Sequence, residues 1–248
     1  MSVRFSVIIP AYNEELLLPR LLDSIAIAAA RFDREEVEVV VADNLSTDTT
    51  REVAQSKGSR VVTVEKRRIA AARNGGANAG IGEILCFIDA DSELHPDTFS
   101  RIDEAMRDER IIAGATGVFL ERRSPGLLLT YLVMMPILWL TGMDTGVVFC
   151  RREDFDAVGG YNEDLYMAED VAFLYALKSR GSAKRQRLER LSGVKALGST
   201  RKFDEQGDWH YFTMLPKIFG ILLQKGLKVF LKQDEMPGLT DYWYRPRR

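Results

Sequence analysis

Four short runs rich in β-branched and aliphatic residues, at 5–9, 37–42, 60–64 and 84–88, stand out in the first third of the chain. Each is continuously apolar rather than alternating, which is the pattern of strands buried on both faces. Between them the apolar positions change to a helical period. Residues 19–30 put Leu21, Leu22, Ile25 and Ala29 on one face, and residues 47–56 and 69–79 read as two further helices. Pro19 falls in the first helical turn, where its missing N–H does no harm, and Asn44 or Ser46 is placed to cap the second helix. Strand and helix alternate, so the expected fold class is α/β, a doubly wound and mainly parallel sheet flanked by helices.

Downstream, residues 96–107 read as a surface helix, and 111–120 and 146–150 as two more strands that extend the sheet. Between those strands lies an apolar run, 127–140, interrupted by Thr130 and Pro136. A membrane-crossing helix needs ~20 residues, so this run does not span a bilayer. It suits a buried or substrate-covering helix, or a segment lying among lipid head groups. Residues 171–177 are apolar on every side and predict a buried helix.

Composition narrows the class without naming a chemistry. With 248 residues, 46% hydrophobic and 28% charged, the chain has enough apolar material for a full core and is not a disordered tail. Cys86 and Cys150 sit inside apolar runs, which argues against a disulfide scaffold or a cysteine zinc site. The apolar stretch before Pro10 is too short for a secretory signal, so a reducing cytoplasm is expected. The net charge of −2 conceals an asymmetry: residues 1–177 carry 18 basic and 29 acidic groups, and residues 178–248 carry 16 and 7. We expect one domain over 1–200 and a basic C-terminal extension, 201–248, packed on it. Its 215–232 segment sets Lys217, Lys225, Lys228 and Lys232 among apolar residues, an amphipathic basic helix suited to packing on the domain or to peripheral contact with the inner face of a membrane. No aromatic-interleaved or helix-turn-helix pattern points to nucleic acid.

In an open parallel sheet, ligands bind beyond the carboxyl ends of the strands. Those exits are polar here: Pro10-Ala11-Tyr12-Asn13-Glu14-Glu15 after the first strand, Asp43-Asn44 after the second, and Asp89-Ala90-Asp91 after the fourth. Grouped carboxylates repel, so folding alone does not explain them; a cation or a sugar nucleotide does. Asp89 and Asp91, i and i+2 in an extended segment, would present hard oxygens from one face to Mg²⁺ or Mn²⁺ bound to a diphosphate. A D-x-D is also a common turn element. Other phosphate loops fail: no G-x-G-x-x-G follows the first strand, and Gly75-Gly76 to Gly80 lacks the lysine of a P-loop. With two histidines, His95 and His210, and no G-x-S-x-G, a serine hydrolase is not expected.

The pattern resembles the family 2 glycosyltransferases of GT-A fold over most of residues 4–180. The matching pieces are Ser6 to Glu15, Val41-Ala42-Asp43-Asn44 with Ser46, Asp48 and Thr49, Ala72-Arg73-Asn74 with Gly80, Phe87 to Asp91, and Gly159-Gly160-Tyr161 leading to Glu169-Asp170. The resemblance implies a nucleotide-sugar donor, a UDP-sugar, held by Pro10, Ala11, Tyr12 and Glu14, with Asp43 toward the base and Glu14 toward the ribose. It places Arg73 near the nucleotide, Asp89 and Asp91 at the metal and diphosphate, and Asp170 as general base beside Glu169. Acidic capping of a helix start explains the last pair equally well in physical terms, and both roles are compatible. In similar transferases Arg201 or Lys202 would neutralise diphosphate and His210 would be a third metal ligand; a surface loop around a packed Trp209 accounts for the same residues. The implied activity is metal-dependent, inverting transfer to an acceptor that is lipid-linked, a saccharide or a small molecule. A sugar-phosphate nucleotidyltransferase would need a glycine-rich basic loop after the first strand, and a non-catalytic nucleotide-sugar or lipid-binding module would not need Asp89, Asp91 and Asp170 together.

Overall fold

In the computed structural model, which describes residues 3–122, 124–129, 132, 145–165 and 168–209, the four early apolar runs are strands. They are β1 (Phe5–Ala11), β2 (Val37–Asp43), β3 (Arg60–Thr63) and β4 (Ile84–Phe87), connected by α1 (Leu18–Arg31), α2 (Thr50–Ser56) and α3 (Ile69–Ala79). There follow β5 (Ser92–Glu93), α4 (Thr98–Met106), β6 (Ile111–Ala115), β7 (Val118–Leu120), β8 (Val148–Arg151), α5 (Arg152–Val158), α6 (Glu169–Ser182), β9 (Arg187–Arg190), β10 (Ala196–Gly198) and α7 (Arg201–Gln206).

The main sheet has the order β3-β2-β1-β4-β8-β6-β9. Only β8 runs against its neighbours; the pairings of β1 with β2 and β4, of β2 with β3, and of β6 with β9 are parallel. β1 therefore lies at the point where the strand order reverses, between β2 and β4, and a crevice opens beyond its carboxyl end. Both faces of the sheet are covered. Phe5, Val7 and Ile9 of β1 pack with α1 and α4 on one side, and Ile8 joins Leu85, Phe87, Phe173 and Leu177 on the other. This two-sided burial is why the strands read as continuous apolar runs.

Three local expectations change. Residues 111–120 form two strands rather than one, because Gly117 adopts φ 78° and turns the chain out of the main sheet. β7 then pairs with β10, which also pairs with β5, in a small second sheet. Neither Asn44 nor Ser46 caps α2. The Asn44 amide donates to the carbonyls of Val64 and Lys66 (2.7 and 2.9 Å), and Ser46 Oγ accepts the Asn13 N–H; Asp48 Oδ1 takes the first-turn N–H of Thr50 (3.0 Å). The 171–177 stretch is not buried all round: Phe173, Leu174 and Leu177 face the core, while Val171 and Tyr175 are exposed. Most of the 127–140 run, the 215–232 segment and His210 lie outside the described residues. Among the described residues no helix is long and apolar enough to cross a membrane.

Candidate active site

The loop after β1 is stitched to the loop after β2. Asn13, in a left-handed conformation (φ 53°) that asparagine tolerates, donates its N–H to Ser46 Oγ (3.0 Å) and accepts the Thr47 N–H (2.8 Å). The Glu14 N–H donates to Thr50 Oγ1 (2.8 Å), and the Glu15 N–H to Asp48 Oδ2 (3.2 Å). The polar residues at 46–50 thus shape the Pro10–Glu14 turn, so that Pro10, Ala11, Tyr12 and Glu14 face a cleft of about 430 Å³. Asn44 lines this cleft as well. Asp43 sits just behind, fully buried, with Oδ1 accepting the Ser46 N–H (3.1 Å) and Arg51 Nε 3.6 Å from Oδ2.

Asp89 and Asp91 both face the cleft, but in a turn rather than an extended segment, since the Ser92 N–H closes onto the Asp89 carbonyl (3.1 Å). An i, i+2 pair on one extended face is therefore not what positions them. Each is instead approached by an arginine. Arg73 Nη2 donates to Asp89 Oδ1 (2.9 Å), and Arg201 Nη2 lies 3.7 Å from Asp91 Oδ2. Arg201, at the start of α7, also grips Glu14 with both Nη atoms at 3.0 Å. Side-chain contacts of Lys202 lie outside the described set.

Glu169 and Asp170 open α6, where the helix N-terminus favours anions. The residue before them, Ala168, takes φ 58°, a left-handed conformation unfavourable for alanine and adjacent to the two carboxylates. Arg73 Nη1 lies 2.9 Å from Glu169 Oε1 and 2.8 Å from Asp170 Oδ1, the latter an ion pair whose angle is too poor for a hydrogen bond. Burial pushes the Asp170 carboxyl up to about 7; Arg73 opposes this, and the charges of Glu169 and Asp89 reinforce it. The Asp170 side chain keeps 24% of its surface, so it remains reachable from the cleft. For Arg73, burial works against the charge, but Asp170, Asp89 and Glu169 outweigh it and the guanidinium stays protonated.

Five carboxylates, from Glu14, Asp89, Asp91, Glu169 and Asp170, face the cleft against the guanidiniums of Arg67, Arg73 and, behind Glu14, Arg201. The carboxylates outnumber the guanidiniums there. Among the described residues no three His, Cys, Asp or Glu side chains already converge as metal ligands. The oxygen donors of Asp89 and Asp91 suit a hard cation of the magnesium type, which takes one or two carboxylates and completes its shell with waters and phosphate oxygens.

Residues 6–155 match the sequence profile described as Glycosyl transferase family 2. The chain belongs to that family. Its relative validoxylamine A glucosyltransferase from Streptomyces hygroscopicus subsp. limoneus is 29% identical, across 71% of this chain and 48% of that protein. This family 2 chain thus spans about half the length of the curated relatives it matches. Mannosyltransferase PcManGT from Pyrobaculum calidifontis, solved with GDP-Man and Mn²⁺, superposes with a TM-score of 0.66 at 22% identity over 91% of this chain and 70% of that one. TarS 1-349 of S. aureus, solved with UDP, gives 0.61 at 22% over 96% and 68%. These likenesses show that the family 2 chain has the GT-A fold.

The structure brings together Pro10, Ala11, Tyr12, Glu14, Arg73, Asp89, Asp91, Glu169 and Asp170 around one cleft, with Asp43 and Arg201 one layer behind. Three contacts were not expected from the sequence, although Tyr161 belongs to one of the matching motifs. Arg67 lies over the Tyr12 ring (4.3 Å to the centroid), Tyr161 lies beneath Arg73 (5.1 Å), and Val118, Thr145 and Phe203 form the far wall. Arg67 follows the third strand, the one exit not searched for chemistry.

Proposed function

We propose that this chain carries the catalytic domain of a hexosyltransferase-like glycosyltransferase, which moves a sugar from a UDP-sugar to an acceptor with inversion, assisted by Mg²⁺ or Mn²⁺. The observation that supports this most directly is Asp170, a reachable carboxylate at the start of α6 facing the same cleft as the strand-exit carboxylates Asp89 and Asp91. A divalent cation held by Asp89 and Asp91 would neutralise charge on the departing diphosphate.

The chain's own residues supply the rest. The Pro10–Glu14 turn and Asp43 hold the nucleotide end, so the anomeric carbon points toward α6. Asp170 accepts the proton of the acceptor hydroxyl as the new C–O bond forms, while the bond to the diphosphate breaks and its electron pair leaves with the phosphate oxygen. One base opposite the leaving group is what a single displacement with inversion requires. Its raised pKa suits the task, because a base near neutrality is ionised enough to act and basic enough to take the proton.

A panel of UDP-, GDP- and dTDP-sugars with Mn²⁺, read by thermal shift and by nucleotide release, tests the reading. UDP-sugars should raise the melting temperature and, with a suitable acceptor, yield UDP. Equal UDP affinity in Mn²⁺ and in EDTA would remove the metal from the proposal. Binding with no turnover on lipid-linked, saccharide and small-molecule acceptors would leave a non-catalytic module.

A further inference from the structure

Arg73 is 4% exposed, yet it touches three carboxylates from two distant parts of the chain. Nη2 holds Asp89 at the exit of β4, and Nη1 lies against Glu169 and Asp170 at the start of α6. The face of the guanidinium rests on Tyr161, whose ring stacks on Phe173 (centroids 4.1 Å apart) and meets Phe87 edge-on (5.0 Å). The head group is therefore fixed on one face by an aromatic floor and along its fork by acidic partners. A guanidinium that grips a phosphate needs N–H groups turned toward it. Here Nη1 and Nη2 each hydrogen-bond to one of the chain's own carboxylates, and Nε is buried with no hydrogen-bond partner among the described residues.

We propose that Arg73 is a positioning residue, not a donor ligand: its rigid fork sets the Asp170 carboxylate in register with Asp89, so that the base and the leaving-group end of the donor are aligned by one side chain. The inference rests on the glycosyltransferase reading above. Lysine keeps the charge but lacks the planar fork, so it cannot hold carboxylates on two elements in one geometry. Without the cation, Asp89, Glu169 and Asp170 repel one another at the point where their geometry matters.

The test is a double-mutant cycle on the whole chain, with Arg73→Lys and Arg73→Met made alone and in Asp170→Asn. Transfer kinetics, calorimetric UDP–Mn²⁺ affinity and melting temperature are read for each. Arg73→Lys should lower kcat by ~10²-fold, as expected for a misaligned base, while shifting UDP affinity by less than ~3-fold. In the Asp170→Asn background the same substitution should change the residual rate by less than ~3-fold, because the group it positions is already disabled. UDP affinity falling as much as kcat would make Arg73 a donor ligand, and losses that multiply in the double variant would give it an independent role; either result overturns the proposal. So would loss of the fold in both Arg73 variants, which would reduce the cluster to a structural one. A wild-type chain that transfers no sugar would defeat the glycosyltransferase reading instead, and the UDP titration would still decide whether Arg73 touches the donor.

Discussion

At the β1 end of the cleft, the Pro10–Glu14 turn is tied to its neighbours by several separate contacts, through Ser46, Thr47, Asp48 and Thr50 and through Arg201 on Glu14, whereas at the α6 end three carboxylates share the guanidinium of Arg73. The first arrangement is distributed. Each bond contributes roughly 0.5–1.5 kcal/mol, so removing one leaves the turn largely in place. The second is concentrated, since removing one member of a buried ionic cluster leaves the others uncompensated. Binding should therefore tolerate the loss of any one hydrogen bond that shapes the turn, and catalysis should not tolerate the loss of a member of the Arg73 cluster.

The largest expected effect is at the α6 end. Asp170→Asn keeps the shape of the side chain but cannot accept the acceptor's proton, and transfer should fall by roughly 10²- to 10⁴-fold. UDP–Mn²⁺ affinity measured by calorimetry should stay near wild type. Glu169→Gln should be milder, since Glu169 is bonded to Arg73 (2.9 Å) and is 9% exposed against the open cleft position of Asp170. Near wild-type turnover in Asp170→Asn with a dead Glu169→Gln would move the base by one residue. Turnover retained in both would make the pair a helix cap and undo the contrast between the two ends.

The same carboxyl gives a pH signature. With a folded pKa of about 7, Asp170 is protonated below neutrality, so transfer should drop about tenfold per pH unit on the acid side. Nucleotide affinity should not follow that limb. Stability carries the complementary sign: an unperturbed aspartate ionises near ~3.9, so the folded state binds the extra proton between there and 7. The stabilisation from that proton is complete below about pH 4 and lost as pH rises through about 7. The melting temperature of Asp170→Asn relative to wild type should therefore climb from pH 4 to 7 and level off above. A flat difference would mean that Arg73 holds Asp170 ionised throughout.

At the other end, Asp43→Ala should act on binding. Asp43 is fully buried just behind the cleft, and its Oδ2, 3.6 Å from Arg51 Nε, has no hydrogen bond among the described residues; in the proposed reading it accepts from a donor group of the base. Loss of a hydrogen bond to a charged acceptor costs ~1.5–3 kcal/mol, a KM for donor raised by roughly one to two orders of magnitude. At saturating donor, kcat should recover. A kcat that falls with unchanged KM would show that the two ends are not separable.

How much of this was legible follows the same division. β1 and β4 could be read because they are buried on both faces, β2 and the edge strand β3 from their β-branched runs, and the strand-exit rule then found Glu14, Asp43, Asp89 and Asp91. What the sequence does not display is pairing across distance. Arg73 and Asp170 lie 97 residues apart, and Arg201 reaches Glu14 from 187 residues away; no local period encodes either contact. The D-x-D was found for a reason the turn at Ala90 removes, since an extended i, i+2 face was not needed for both carboxylates to reach the cleft. The exposed face of α6 was missed because Val171 and Tyr175 look like core residues by composition, yet Val171 borders the cleft and Tyr175 is open to solvent.

The smallest effects should come from the stitches themselves, and they grade the distributed end internally. Thr50 is fully buried, and its Oγ1 accepts the N–H of Glu14, a residue 3% exposed. Thr50→Val keeps the branched shape but strands that N–H away from water, costing ~1–3 kcal/mol. In a domain of this size, ~1 kcal/mol corresponds to about 2–4 °C in melting temperature. Ser46 is only partly buried, so water can replace its Oγ at the Asn13 N–H, and Ser46→Ala should cost less than ~1 kcal/mol. Neither residue touches the Arg73 cluster, so both variants should raise KM for donor by no more than a few fold and leave kcat at saturating donor unchanged. A lowered kcat in Ser46→Ala would mean that the Pro10–Glu14 turn transmits its position to Asp170, and the rigid, distributed end would no longer be independent of the concentrated one.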